Sequence, residues 1–227
     1  MEYNTSILDI IGDYRMSEKK TSYNDLEENR QYQYIVAMGI STGGPKLLNQ
    51  IIPTLDENLS ATYIIVQHMP EGFTKNLAMR LNTLSKVEVK EAEDQEILKR
   101  GTVYIAPGGK QLRIMNGLKP QIQLTDDLPY KGHKPSVNVM LNSLAELSKC
   151  SKKMIAVIMT GMGSDGLEGV TELKKSSECT VIAQDQASST VYGMPKAIVN
   201  AGLADYIISA DEITQIIKRI VGDKHGR

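Results

Sequence analysis

Ser41, His68 and Asp165 could act together in this 227-residue chain. A serine hydroxyl is a weak nucleophile until a base takes its proton. An imidazole titrates near neutrality and can be that base, and a carboxylate can orient the imidazole and stabilise its cation. Each of the three follows a short apolar run. Tyr34–Met38 (YIVAM) leads into Gly39-Ile40-Ser41-Thr42-Gly43-Gly44, and Thr62–Val66 (TYIIV) into Gln67-His68-Met69-Pro70. Ile155–Met159 (IAVIM) leads into Thr160-Gly161-Met162-Gly163-Ser164-Asp165-Gly166. Ligands of open α/β sheets bind beyond the carboxyl ends of the strands. Three strand ends would therefore bring a nucleophile, a base and an orienting acid to one surface, a set suited to acyl transfer to water.

Each residue also has a plainer reading. Gly39–Gly43 matches the G-x-S-x-G turn that lets a serine protrude between strand and helix, but glycine turns are common. Asp165 could cap the helix expected at Gly166–Lys175, a role that alone contributes about 1 kcal/mol. The catalytic and capping roles are compatible, and the sequence does not separate them. The backbone N–H groups of Thr42 and Gly43 are candidates to hold an oxyanion. The Thr42 side chain could bond within the site or be an ordinary first-turn helix residue. Of the other histidines, His225 lies in the terminal tail, and His133 lies in a loop without a preceding buried strand. A nucleotide loop is excluded. Ser41 stands where a dinucleotide fingerprint needs its second glycine, the second strand ends in Gln67-His68 rather than an acid, and no G-K-[ST] is present.

The elements that must position these residues alternate along the chain. After Tyr34–Met38, an apolar face of Leu47, Leu48, Ile51 and Ile52 predicts a helix that Pro45 can start and Pro53 closes. Helices are expected at Gly72–Leu84, Val137–Leu147, Gly166–Lys175, Pro195–Ala201 and Glu212–Val221. Further strands are expected at Val103–Ala106, Val181–Ala183 and Ala204–Ile208. Leu112–Met115 with Ile122–Leu124 reads as a hairpin. Short Val- and Ile-rich strands alternating with helices predict a parallel α/β sheet covered on both faces.

Hydrophobic residues make up 41% and charged residues 23%, ordinary values for a globular domain. The formal net charge of −1 gives no general attraction to nucleic acid or anionic membrane. No run of about 18 apolar residues suggests a membrane span, and no basic region precedes an apolar one at the N-terminus as in a secretory signal. Cys150 and Cys179 read as small buried or half-buried side chains, and the absence of CxxC fits a reducing cytoplasm. Residues 1–31 read as a polar tail or linker with one apolar patch, Ile7-Leu8-Asp9-Ile10-Ile11. Residues 32–222 read as one domain and 223–227 as a C-terminal tail.

The motif set resembles the catalytic domain of CheB, the chemotaxis protein-glutamate methylesterase. The resemblance rests on Gly39–Pro45, Gln67–Thr74, Ala106–Gly109, His133–Val139, Thr160–Gly166, Asp185–Ser189 and Tyr192–Ala197, spread over about residues 33 to 205. It implies a doubly wound, mostly parallel sheet, a triad in the order Ser41, His68, Asp165, and a Met162 N–H in the oxyanion hole. It implies methyl ester hydrolysis on chemoreceptor glutamates, deamidation of receptor glutamines, and no metal or organic cofactor. The receptor would be a helical rod with acidic faces that Arg80 and Lys196 could meet, though either could be an ordinary solvated charge. Family members usually carry an N-terminal receiver domain, and the 31 residues ahead of the catalytic part are too few for one, so none is expected in this chain. Two other functions compete: a non-catalytic receptor-binding module of the same fold, and an esterase or amidase acting on another protein.

Overall fold

The computed structural model describes residues 32–116, 119–147 and 152–222. The chain divides into the units Met1–Gln31 and Tyr32–Arg227. The expected tail with its apolar patch, Cys150, and residues 223–227 with His225 lie outside the described residues.

Elements follow in the order β1 Tyr34–Ile40, α1 Gly44–Ile51, β2 Ala61–Gln67, α2 Phe73–Leu84, β3 Glu88–Glu91, β4 Thr102–Ile105, β5 Gln111–Met115 and β6 Gln121–Thr125. After these come α3 Val137–Glu146, β7 Lys153–Ile158, α4 Leu167–Ser176, β8 Cys179–Gln184, α5 Met194–Asn200, β9 Tyr206–Ile208 and α6 Ile213–Gly222. Seven strands form one sheet in the order β3-β4-β2-β1-β7-β8-β9. Every neighbouring pair in it is parallel. β5 and β6 form a separate antiparallel hairpin.

Alternate residues of each central strand enter different cores. In β1, Ile35 and Ala37 join one cluster, while Val36, Met38 and Ile40 join the other. Two buried faces explain why the strand sequences are continuously apolar rather than alternating. α1, α2 and α6 supply Leu48, Leu81 and Ile217 to one face. α3, α4, α5 and the hairpin supply Leu141, Leu173, Ile198 and Leu112 to the other. The doubly wound α/β architecture expected from the motifs is thus the observed one.

The edge strand β3 was not anticipated. Its sequence EVKE offers one apolar side chain, Val89, which is buried. The strand pairs only with β4, and charged side chains are how exposed sheet edges avoid further pairing.

The chain builds β2, β4 and β3 to one side of β1, then β7, β8 and β9 to the other. The winding therefore reverses between β1 and β7, and a crevice opens at such a switch point beyond the strand ends. Ser41 follows β1, Asp165 lies in the loop after β7, and His68 follows the adjacent β2.

Candidate active site

The parallel ladder continues past the strand ends and fixes the backbone at Ser41. Met159 N–H donates to Gly39 O at 2.9 Å, Ser41 N–H to Thr160 O at 2.9 Å, and His68 N–H to Ile40 O at 3.1 Å. The chain must then turn sharply into α1. Gly43 makes that turn at φ 86°, where a side chain would be strained and would also strike Thr190. Gly161 permits a second close approach, since a Cβ there would lie 2.8 Å from Ser41 Cβ and 2.3 Å from Met194 Sδ. α1 begins at Gly44, so Thr42 stands in the turn and not in the first helical turn.

Two buried side chains tie this turn to its surroundings. Gln67 Nε2 donates to Ser41 O at 3.1 Å and to His68 O at 3.0 Å, joining the two functional loops. Thr160 Oγ1 donates to Thr42 O at 2.8 Å and accepts from Val191 N–H at 2.9 Å. Neither residue carries an obvious sequence signal. Gln67 ends β2 and Thr160 lies two residues past β7, and the partners of each are visible only in the fold.

His68 Nε2 lies 2.8 Å from Asp165 Oδ2, with only 12% and 2% of the two side chains exposed. The Asp165 carboxylate also accepts from Val137 N–H at 2.7 Å, Asn138 N–H at 3.0 Å and Ser136 Oγ–H at 2.9 Å. Burial alone would raise its pKa. The bonds from His68, Asn138 and Val137 outweigh burial and hold the carboxyl below its ordinary range. An ionised carboxylate only accepts, so Nε2 is the donor to Asp165 and Nδ1 is the ring nitrogen turned away from it. Ser41 Oγ makes no hydrogen bond among the described residues.

The capping role of Asp165 differs from the one expected. It does not cap its own helix α4, whose N-cap residue is Gly166. It caps the N-terminus of α3, because Val137 and Asn138 present their free N–H groups to it. Asn138 reciprocates. Its Oδ1 accepts from Gly166 N–H and Gly169 N–H, each at 2.9 Å, and so caps α4. The N-cap of α3 is Ser136, whose side chain accepts from Val139 N–H.

His133, set aside on sequence, stacks on His68 with ring centroids 4.2 Å apart and planes 10° from parallel. Burial and the adjacent His68 lower its pKa, with Asp165 opposing. His68, His133 and Asp165 each offer a donor atom within 4.8 Å of the others. The stacked rings, however, hold their in-plane lone pairs in parallel planes that do not meet at one ion, so the trio is not arranged as a metal centre.

The N–H groups of Thr42, Gly43 and Met162 have no acceptor among the described residues, which leaves them available to a developing oxyanion. Lys196 is exposed in the first turn of α5, whose leading Gly193 and Met194 N–H groups bond to Gly161 O at 3.0 and 2.9 Å. Arg80 makes no bond to Ser41, His68 or Asp165 among the described residues. It is exposed on α2, seven residues beyond Phe73 and about 10 Å further along the helix axis.

A serine, a histidine bonded to a buried carboxylate and unpaired amide donors thus follow the ends of neighbouring strands, a set of groups that could serve acyl transfer. Residues 36–217 match the family described as CheB methylesterase. The chain belongs to the CheB methylesterase family. It is 45% identical over 195 residues to a protein-glutamate methylesterase/protein-glutamine glutaminase of Geobacillus kaustophilus, covering 86% of this chain and 55% of that protein. It is 51% identical over 191 residues to the protein of the same name from Bacillus licheniformis, covering 83% and 52%. The crystal structure of the Thermotoga maritima CheB methylesterase catalytic domain superposes with a TM-score of 0.78 at 44% identity, covering 82% of this chain and 98% of that one. This chain thus spans about half the length of the curated relatives it matches.

Proposed function

We propose that this chain is a serine hydrolase that removes methyl esters from glutamate side chains of chemoreceptors and deamidates receptor glutamines, with residues 32–222 as the catalytic domain. The observation that carries the reading is the 2.8 Å bond from His68 to the buried Asp165 carboxylate, with the His68 backbone bonded to Ile40 O, one residue before Ser41. Family membership and the names of the relatives support the substrate. Among the described residues no helix is long and apolar enough to cross a membrane, and we place the enzyme in the cytoplasm, acting on the receptor's helical rod. Phe73 and Met162, exposed apolar side chains on the segments after β2 and β7, suit contact with such a rod.

In this reading His68 Nδ1 takes the proton of Ser41 as Oγ attacks the ester carbonyl. The tetrahedral oxyanion is held by N–H groups of Thr42 or Gly43 and of Met162; one such donor is typically worth about 3–4 kcal/mol. Asp165 stabilises the imidazolium. Collapse breaks the C–O bond, His68 returns the proton to the leaving oxygen, and methanol departs. Water then attacks the glutamyl-enzyme by the same route, with His68 as base, and restores Ser41. A glutamine amide follows the same path with ammonia as the leaving group. The test is methanol release from methylated receptor, together with labelling by a fluorophosphonate. Wild type should release methanol and label at Ser41, and Ser41→Ala should do neither. Retained methanol release in that variant sinks the assignment. Labelling without methanol release from receptor would favour an esterase of other specificity.

A further inference from the structure

The ring of His133 has no place in the steps above, yet it covers one face of His68 at 4.2 Å and 10°. Its loop is built to hold it there. Tyr130 and His133 exchange two backbone hydrogen bonds of 3.0 Å across a tight turn, with Lys131 and Gly132 at φ 48° and 87°. Gln111, fully buried, donates to His133 O at 2.9 Å. Tyr130 Oη donates to Glu168 at 2.7 Å, and Lys131 Nζ bonds the same carboxylate, which ties the turn to the first turn of α4.

His68 is thus constrained in two independent ways. The bond to Asp165 fixes Nε2 along one edge, but a single hydrogen bond leaves the ring free to rock about the line through it. The stacked imidazole removes that freedom, because rocking would drive one ring into the other. With both constraints in place, Nδ1 points in one direction only.

We infer that His133 is a positioning residue for the reaction: its ring sets the plane in which His68 offers Nδ1 to Ser41, and its uncharged face receives His68 as the imidazolium. This rests on the hydrolase reading above. The charge environment suits the role. Lys131 of the same turn is paired with Glu168, and Lys134 Nζ donates to Asp126 O at 2.9 Å. The groups facing the ring are His68 and the Asp165 carboxylate, and a proton on His133 is disfavoured by burial and by His68. A neutral aromatic face beside a forming cation is attractive, whereas two stacked imidazolium rings would repel.

The test uses the full chain and a fluorophosphonate whose labelling rate and half-saturation are measured separately, on His133→Ala, His133→Leu, His133→Phe and Ser41→Ala. Misplacing a reacting group by an ångström costs about 10²-fold in rate, so His133→Ala and His133→Leu should lose about 10- to 100-fold in maximal labelling rate with half-saturation unchanged. His133→Phe, which restores a ring face, should recover most of that loss. Equal recovery by Leu and Phe would overturn the proposal, because space-filling alone would then suffice; so would an Ala variant that labels at the wild-type rate. If the Ala variant does not fold, the comparison of Leu with Phe still decides. Persistent labelling of Ser41→Ala would instead overturn the hydrolase reading itself, an outcome distinct from any behaviour of the His133 variants.

Discussion

Replacing Asp165 with Asn separates its two roles in one experiment. The carboxylate accepts four hydrogen bonds, from His68 and Val137 on Oδ2 and from Ser136 and Asn138 on Oδ1. An amide has one acceptor oxygen and turns the other position into a donor. In either orientation it faces a buried backbone N–H of α3 with an N–H of its own. A hydrogen bond to a charged group is worth about 1.5–3 kcal/mol, and a buried donor left unpaired costs about 1–3 kcal/mol. Ser136 Oγ can rotate to compensate in part, so a net loss of about 2–4 kcal/mol is expected. For a domain of this size that lowers the melting temperature by about 5–15 °C. Activity should fall further than stability explains, by about 10⁴, because an Asn opposite His68 favours the wrong tautomer and leaves no negative charge beside the imidazolium. Calorimetry and fluorophosphonate labelling of the same preparation, below both melting temperatures, read the two effects. A variant that melts within about 2 °C of wild type refutes the capping argument. One that labels at wild-type rate refutes the catalytic one.

Asn138→Ala removes the acceptor for Gly166 and Gly169 N–H; it should cost about 2–4 kcal/mol in urea unfolding, and an unchanged midpoint would show that α4 needs no cap from α3. Gly161→Ala places a Cβ 2.8 Å from that of Ser41, so labelling should slow by about 10²-fold, with circular dichroism checking that the fold survives; wild-type labelling would mean the loop yields freely. Acid should weaken the fold through Asp165. Its folded pKa lies below the ordinary value of 3.8, so the unfolded chain binds the proton first as pH falls. The contribution is complete above about pH 4 and is lost as pH drops through the folded pKa. The stability gap between wild type and Asp165→Asn should therefore narrow below about pH 4 in denaturant titrations, and a gap that stays constant to pH 2 would contradict the assigned ionisation.

The layers of the fold were readable because the signals that set them are local. YIVAM, TYIIV and IAVIM are apolar on both faces, and β1, β2 and β7 are buried on both faces. β3 escaped because an edge strand has only Val89 to bury, and its charges resemble those of a loop. Ser41, His68 and Asp165 could be singled out because each follows a strand closely, and strand order sets where such loops meet. Gln67 and His133 could not. Their roles depend on which carbonyls and which ring lie opposite, and His133 reaches His68 from a turn 65 residues away in sequence that belongs to no strand of the main sheet. The cap of α3 by Asp165 was hidden for the same reason, since helix-capping rules look for the acceptor within the same few residues.

Burying a carboxylate normally raises its pKa until it is neutral, and a neutral acid could not support an imidazolium. Here the charge is balanced before His68 takes up any proton, by two N–H groups at the positive end of α3. The carboxylate that would meet the imidazolium is therefore already ionised and already placed, and little reorganisation accompanies proton transfer. Its position in turn depends on α3 lying against α4, through Leu141, Leu144, Val170 and Leu173 in one core and through the cap that Asn138 returns to Gly166 and Gly169. The acid is thus located by the packing of two helices, and only its loop is local to the strand end. Core residues of α3 and α4 that touch no substrate should for that reason affect turnover, by shifting the groups that keep Asp165 charged and in line with His68.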